Sequence, residues 1–433
     1  MKTINSAAIN PFGGLNFVLE EFDRLSIGKQ LAEHLPELAP QSCYSWRDIL
    51  YSFWSIFFCG GDCIEDLATN LRSSFTSNPY VKLPSPDRVL HRLKELATDS
   101  KTCKTPRSKS THEFNWNHKM SKLNLALFQK LRKLEDEDKP VVLDYDNTLI
   151  FTEKSDAKMT YKKHFGYAPG VAMIGKKIVY VENRNGNSAA HILQEQTLDR
   201  MFQHLKETGI RVDIFRADGA SYQWNTVLKI TQEVDTFYLR AKRSQSVLRA
   251  ISTIKDWQEI ELEGKKAFRG SVIYTPFESA AARYKQKDAL QSYRLVVTKI
   301  PREDQQLDFF SGEAYNYFAI LTNNFDQTND EVVDFYNQRG AMEKEFDVLK
   351  NDFGWNHLPF SKLEQNTVYL IFTAICRNLY EHIIQLFAKK YEGLSPKFRI
   401  KKFIFRFITI PAKWIKTARR WQLRIYGNIH FKT

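Results

Sequence analysis

Apolar positions recur at helical spacing through most of the first hundred residues. Leu15-Asn16-Phe17-Val18-Leu19-Glu20-Glu21-Phe22 and the stretch 27–35 each gather their apolar side chains on one face, which predicts amphipathic helices. Residues 46–59 are denser in aromatic and aliphatic side chains and predict a buried helix that stops at Gly60-Gly61. Ser85-Pro86 opens a further helix with a capping hydroxyl and a proline at the first helical position. Its apolar side is Val89, Leu90 and Leu93, and its basic side is Arg88, His91 and Arg92. Residues 99–120 are polar and basic, and predict a linker or loop. A helix over 123–134 then runs into the charged Glu135-Asp136-Glu137-Asp138.

The period changes after Pro140. Val141-Val142-Leu143-Asp144-Tyr145-Asp146-Asn147-Thr148-Leu149-Ile150 predicts a buried strand interrupted by acids. Residues 171–174 and 177–181 predict a hairpin about Gly175-Lys176. Helices over 198–206 and 222–230 alternate with strands over 211–219 and 236–240. Strand, hairpin, helix, strand, helix, strand is the element order of an RNase H-like domain. Segments 258–262, 271–274, 293–300 and 317–321 predict a mostly β insertion. Helices follow over 330–352 and 363–390. The expected fold class is α/β: an RNase H-like mixed sheet catalytic core over 136–360 with a β-rich insertion at 241–320. A helical domain, 1–135, precedes it, and a basic helical region, 361–433, follows it.

Composition narrows the partners. The 433 residues carry a net charge of +13 with 13% aromatics, which favours an anionic partner, nucleic acid first. Basic and aromatic residues interleave from Lys397 to Trp421, as phosphate neutralisation and ring stacking require. The five cysteines are scattered, and Cys59 and Cys63 lack the companions of a zinc site, so buried free thiols are expected. Met1–Ser6 lacks the apolar core of a signal peptide, and no apolar run is long enough to span a bilayer. The expected place is the bacterial cytoplasm, in association with the nucleoid.

The sharpest pattern lies in the helix at 330–352. At about 100° per residue, Tyr336, Arg339, Glu343 and Lys350 fall on one narrow stripe, with Glu345 on the opposite side. The order Y, two residues, R, three residues, E, six residues, K resembles the signature of one group of bacterial insertion-sequence transposases, the DDE enzymes. Asp146-Asn147-Thr148 and Arg216-Ala217-Asp218-Gly219 resemble the settings of their first and second acids. The resemblance covers about residues 140–360. It implies catalytic, metal-holding acids at Asp146, Asp218 and Glu343, and phosphate contacts from Tyr336, Arg339 and Lys350. From the residues alone, Asp144 and Asp146 face the same side of one strand, so either can be the first acid. Carboxylates on separate elements hold two hard cations, Mg²⁺ or Mn²⁺.

The implied function is a DNA transposase that binds the terminal inverted repeats of its insertion sequence, cleaves there, and transfers the 3′-OH ends to target DNA. Double-stranded DNA is the expected partner, a homodimer the expected form in the DNA complex, and no membrane is expected. Arg88 and Arg92 are candidate DNA contacts on a helix-turn-helix-like element. Trp257, the only Trp of the insertion, is a candidate for stacking on a flipped base, with a packing role as its bland alternative. A rival class also fits locally. Asp144-Tyr145-Asp146-Asn147-Thr148 matches the first motif of haloacid-dehalogenase-like phosphatases, with Asp144 as nucleophile and Asp146 as general acid. That class leaves the helix stripe, the insertion and the basic tail without a role.

Overall fold

The computed structural model describes residues 9–75, 78–105, 110–134, 139–303 and 314–427; the acidic run 135–138 lies outside them. Helices α1 (Leu15–Arg24), α2 (Ile27–His34), α3 (Trp46–Phe58), α4 (Arg72–Phe75) and α5 (Pro86–Glu95) come first. Strands β1 (Lys101–Lys104) and β2 (Thr111–Asn115) and helix α6 (His118–Arg132) follow. The central part holds β3 (Val142–Asn147), β4 (Ile150–Phe151), β5 (Lys158–Met159), β6 (Phe165–Tyr167), β7 (Gly170–Ile174) and β8 (Lys177–Arg184). After α7 (Gln194–Glu207) come β9 (Ile214–Ala217), α8 (Trp224–Glu233), β10 (Thr236–Arg240) and α9 (Gln245–Ser252). The insertion contributes β11 (Gln258–Leu262), β12 (Lys265–Tyr274), α10 (Glu278–Arg283), β13 (Tyr293–Pro301) and β14 (Tyr315–Thr322). The chain continues through α11 (Asn329–Asn337), α12 (Ala341–Asp352), α13 (Leu363–Lys390), α14 (Ile400–Phe403), β15 (Ala412–Thr417) and β16 (Arg420–Ile425).

Five strands order as β8-β7-β3-β9-β10, with β3, β7 and β8 antiparallel and β3, β9 and β10 parallel. This is the strand arrangement of an RNase H-like sheet. The insertion does not stand apart. Its strands continue the same sheet as β10-β14-β13-β12-β11, all antiparallel, to an eleven-stranded whole. At the other edge β2 pairs with β8 and carries β1. The segment 99–120, expected as a linker, is therefore partly sheet. Its strands show no apolar alternation because the residues buried with Phe114, His112 and Asn115, are polar, and the Lys101-Thr102-Cys103-Lys104 edge is largely exposed.

Two cores flank the sheet. One face packs on α6, α7, α8 and α9 through residues such as Leu143, Phe202, Phe215 and Leu239. The other core joins the N-terminal helices to α12, α13, α14 and the opposite face of β7 and β8. Helix α13 is buried along nearly its whole length, and no helix among the described residues is long and apolar enough to cross a membrane. Trp54 of α3 donates its indole N–H to Phe372 O of α13 at 3.0 Å. Asn378 of α13 closes a two-bond amide pair with Ile178 of β8, at 2.7 and 2.8 Å.

The C-terminal tail departs from the helical expectation. Phe403, Phe407 and Ile408 enter the core as one short helix and a wide turn. Beyond them Ala412–Ile425 is a two-stranded antiparallel ribbon. Its root is bonded to the start of the chain: Asn10 and Ala412 exchange N–H···O bonds of 2.8 and 2.9 Å, and Gly13 N–H donates to Ile410 O. A Cβ on Gly13 would fall 2.4 Å from Ile410 O, and one on Gly14 would fall 2.0 Å from Phe407 O, so this crossing needs glycine.

The shared core generates a prediction. A 1–135 fragment leaves α3 without α13, and is expected to show no cooperative melt by circular dichroism. In the full chain, Trp54→Ala should cost about 3–5 kcal/mol, read by urea unfolding. A sharp cooperative melt of the fragment contradicts the shared core.

Candidate active site

Strands β3 and β9 run parallel, and their register sets Asp144 beside Arg216 and Tyr145 beside Ala217. One step further along each strand lie Asp146 and Asp218. Both acids thus stand at the carboxyl ends of adjacent central strands, where α/β sheets build sites. The two inner positions are spent on each other. Arg216 Nε and Nη2 each reach an Asp144 carboxylate oxygen at 2.7 Å, and both side chains are buried. Arg216 also donates through Nη1 to Phe335 O and lies over the Phe335 ring at 4.7 Å. The pair therefore clamps the end of α11 against the sheet. Asp144 is thus buried and held through both oxygens, while Asp146 lies one step nearer the end of the strand and is less buried. The offset was legible: Asp144 and Arg216 each sit two residues before an acid of the site.

The other side of the site comes from the motif segment. The expected continuous helix breaks into α11 and α12, joined by a tight turn at Gln338–Gly340. Arg339 sits in that turn and reaches Asp146 Oδ2 with Nη2 at 2.8 Å, with its Nε buried and unpartnered. Tyr336 is buried, with its hydroxyl 3.4 Å from Ala217 O. Asp218 accepts the Ala220 N–H at 2.9 Å and keeps its second oxygen unbonded among the described residues. Asp213 is engaged elsewhere, accepting Val141 N–H at 2.6 Å. Burial pushes the Asp146 carboxyl up to about 6; Arg339 pulls it down, and the Asp218 carboxylate pushes it up again.

The stripe is only half assembled. Tyr336, Arg339, Asp146 and Asp218 act on one another electrostatically. Glu343 is exposed on α12 and lines a surface cleft with Lys344, Lys397 and Arg399. Among the described residues, the oxygens of Asp146, Asp218 and Glu343 do not fall together within 4.8 Å. Glu345, on the far face, is buried and holds Arg377 at 2.8 Å, and Arg377 also holds Glu381. Lys350 is half-buried, and burial together with the nearby Lys162 lowers its pKa.

The remaining candidates are dispersed. Arg88 is exposed on α5, while Arg92 is tied to Glu95 at 2.7 Å and to Ser42 at 3.2 Å. Trp257 is half-buried against the insertion core, and Lys299 Nζ lies 4.2 Å over its ring. That ammonium also faces Tyr315 and Phe268 at 4.7 and 5.3 Å, so the ring already has a cation–π partner. Asp62, Cys63 and Asp66 cluster at the end of α3. There Asp66 Oδ2 accepts the Asp62 and Cys63 N–H groups, and burial holds the Cys63 thiol up to about 11, which is the chemistry of a turn rather than of a thiolate ligand.

The acid pair suits a divalent cation. Two neighbouring carboxylates gain from a shared positive charge, and an all-oxygen donor set selects a hard ion. Arg339 supplies the positive charge Asp146 draws on here.

The family model described as Transposase DDE domain group 1 matches residues 7–432. No curated protein matches the chain. Among solved structures it is similar to the cryo-EM structure of the piggyBac transposase synaptic complex with hairpin DNA. That match has 12% identity over 90% of this chain and 78% of that one, at a TM-score of 0.42. It is also similar to the Mos1 transposase paired-end complex with left transposon end, at 14% identity over 46% and 60% and a TM-score of 0.19. A third is the Mos1 strand transfer complex, at 14% identity over 54% and 78% and a TM-score of 0.19.

The site carries two predictions. Asp144→Asn leaves the Arg216 charge buried and unmatched, at a cost of about 3–5 kcal/mol, measurable by urea unfolding; a neutral result contradicts the clamp. Asp146 binds its proton more tightly folded, near 6, than at its usual 3.8. Its contribution to stability is thus complete below about pH 4 and lost as pH rises through 6. Asn at this position cannot ionise, so in chelator the stability of Asp146→Asn relative to wild type should rise by on the order of 2 kcal/mol between pH 4 and 7.5. A pH-independent difference contradicts the raised pKa.

Proposed function

This chain belongs to the Transposase DDE domain group 1 family and is a DDE transposase; from that premise we propose how its residues divide the work. It binds the terminal inverted repeats of its element as double-stranded DNA, cleaves there, and joins the 3′-OH ends to target DNA. The DNA complex holds two copies of the chain, acting in the cytoplasm at the nucleoid. Asp146, Asp218 and Glu343 hold two Mg²⁺ or Mn²⁺ ions. When bound, such ions activate water or a 3′-hydroxyl and stabilise the departing oxygen. The observation that carries the reading is the pairing of Asp146 with Arg339 beside Asp218, while Asp144 is closed by Arg216.

The residues' roles follow from their chemistry. Arg339 orients Asp146 in the free protein and offers a planar fork to a phosphodiester when DNA arrives. Tyr336 buttresses that arginine from the same turn. Lys350, raised in energy by burial and by Lys162, gains from a phosphate as a point charge. Glu343 completes the acid set when α12 pivots about the Gln338–Gly340 turn, a break of the kind that serves as a hinge. Arg88 and Arg92 contact the repeat, and Trp257 stacks on a base once Lys299 yields its face. The phosphatase alternative needs Asp144 as a free nucleophile, and a buried carboxylate bonded through both oxygens to Arg216 is a poor one.

The test is metal-dependent cleavage of a duplex carrying the element's end. Asp146→Asn, Asp218→Asn and Glu343→Gln should each slow cleavage at least about a thousandfold, with end binding within about threefold of wild type. Cleavage near the wild-type rate in any one removes that acid from the site. Glu345→Gln should instead lower the melting temperature, through Arg377, with the rate per folded molecule retained.

A further inference from the structure

The β15–β16 ribbon has no part in the acid site, yet it is densely basic. Lys413, Lys416, Arg419, Arg420 and Arg424 lie within its fourteen residues, which contain no acid. Among the described residues no carboxylate pairs with any of the five. Several other arginines are matched: Arg47 holds Asp23, Arg92 holds Glu95, and Arg399 holds Asp347 and Asp352.

The ribbon is built to stand out and to stay put. Its two faces differ. One face carries Ala412, Trp414, Leu423 and Ile425, by the pairing Ala412↔Ile425 and Trp414↔Leu423. Trp414 meets the Tyr80 ring edge-on at 5.2 Å, and Ala412 is fully buried. The opposite face presents Lys413 beside Arg424 and Thr417 beside Arg420. Residues 416–422 are all exposed, Trp421 among them. The tip turns on Ala418 and Arg419, both left-handed at φ 47° and 63°, which matches the twist of a two-residue hairpin turn. Like charges held this close repel one another, and among the described residues no carboxylate is paired with them.

We propose that the β15–β16 hairpin is a second DNA-binding element, a rigid basic ribbon that seats on the phosphates of double-stranded DNA outside the acid site. Six-residue strands make a ribbon about 20 Å long, and a two-stranded ribbon fits the major groove. The Tyr80 contact sets its root beside the segment that leads into α5, whose Arg88 is exposed. The proposal rests on the reading of this chain as a DNA enzyme. It adds the place and the kind of contact.

The experiment uses the full chain with Arg419, Arg420 and Arg424 changed together, once to Gln and once to Lys. Binding to a fluorescent duplex of scrambled sequence is titrated across a salt series, with melting temperature as the control on folding. The Gln variant should bind about tenfold more weakly at physiological salt. Its slope of log affinity against log salt should shrink by about 2.7, which is about 0.9 for each phosphate no longer neutralised. The Lys variant should keep most of both. Equal affinity and slope for wild type and the Gln variant overturn the proposal while the transposase reading stands. A Lys variant as weak as the Gln variant also overturns it, since charge is then not the cause. Loss of binding to phosphatidylserine vesicles with duplex binding unchanged reassigns the ribbon to a membrane surface and overturns it. A wild type that binds no duplex at all overturns both this proposal and the reading beneath it.

Discussion

Two carboxylates on one strand demand two cations. Asp144 and Asp146 project from the same face of β3, in the interior of the sheet, where an unmatched charge costs far more than a hydrogen bond returns. The fold answers with two arginines from different places. Arg216 comes from the neighbouring strand, in register, and closes both oxygens of Asp144. Arg339 comes from the turn after α11 and takes one oxygen of Asp146. The same Arg216 holds the carbonyl of Phe335, four residues before Arg339. Neutralising the inner acid therefore places the helix that neutralises the outer one. The two acids differ in their partners: Asp144 is buried and gives both oxygens to one guanidinium, whereas Asp146 takes a single Arg339 nitrogen on one oxygen and the Asn147 N–H on the other.

Much of this was legible because half-buried elements write their period into the chain. The sheet strands 142–147, 170–174, 177–184 and 236–240 lie close to where apolar runs predict them, as do α3, α5 and α13. Failures have physical causes. Strand β1 is exposed at the edge, and β2 beside it has Phe114 as its one apolar residue, so no apolar alternation marks them. The tail reads as basic and aromatic at either period, and its turn at Ala418-Arg419 lacks the Gly or Asn that usually signals a hairpin. Yet Trp414 and Lys416 on one strand and Trp421, Leu423 and Ile425 on the other do alternate, and that was the available clue. Asp144 and Asp146 could not be told apart along β3 alone, because the deciding partner lies seventy-two positions away on β9.

The motif helix shows what spacing conveys and what it cannot. Putting Tyr336, Arg339, Glu343 and Lys350 on one stripe assumed an unbroken helix. A 3-10 turn at Gln338–Gly340 interrupts it; Tyr336 and Arg339 lie against the sheet, while Glu343 is exposed on α12. No proline announces the break, and Gly340 meets nothing within 4 Å where a Cβ would stand. The stripe is a property of the sequence that the free protein holds in two pieces.

One consequence of the unbroken sheet is mechanical. The insertion is not hung from a flexible stalk: β14 is bonded to β10, and β10 to β9, the strand that ends in Asp218. Neighbouring strands are about 4.8 Å apart, so a load on β14 crosses two ladders before it reaches the strand beside that acid, and a load on the outermost strand β11 crosses five. Backbone ladders are stiff in tension along the sheet and soft in twist. The ladders from β14 through β10 to β9 hold no loop that could absorb a twist of the insertion before it reaches the strand that leads into Asp218.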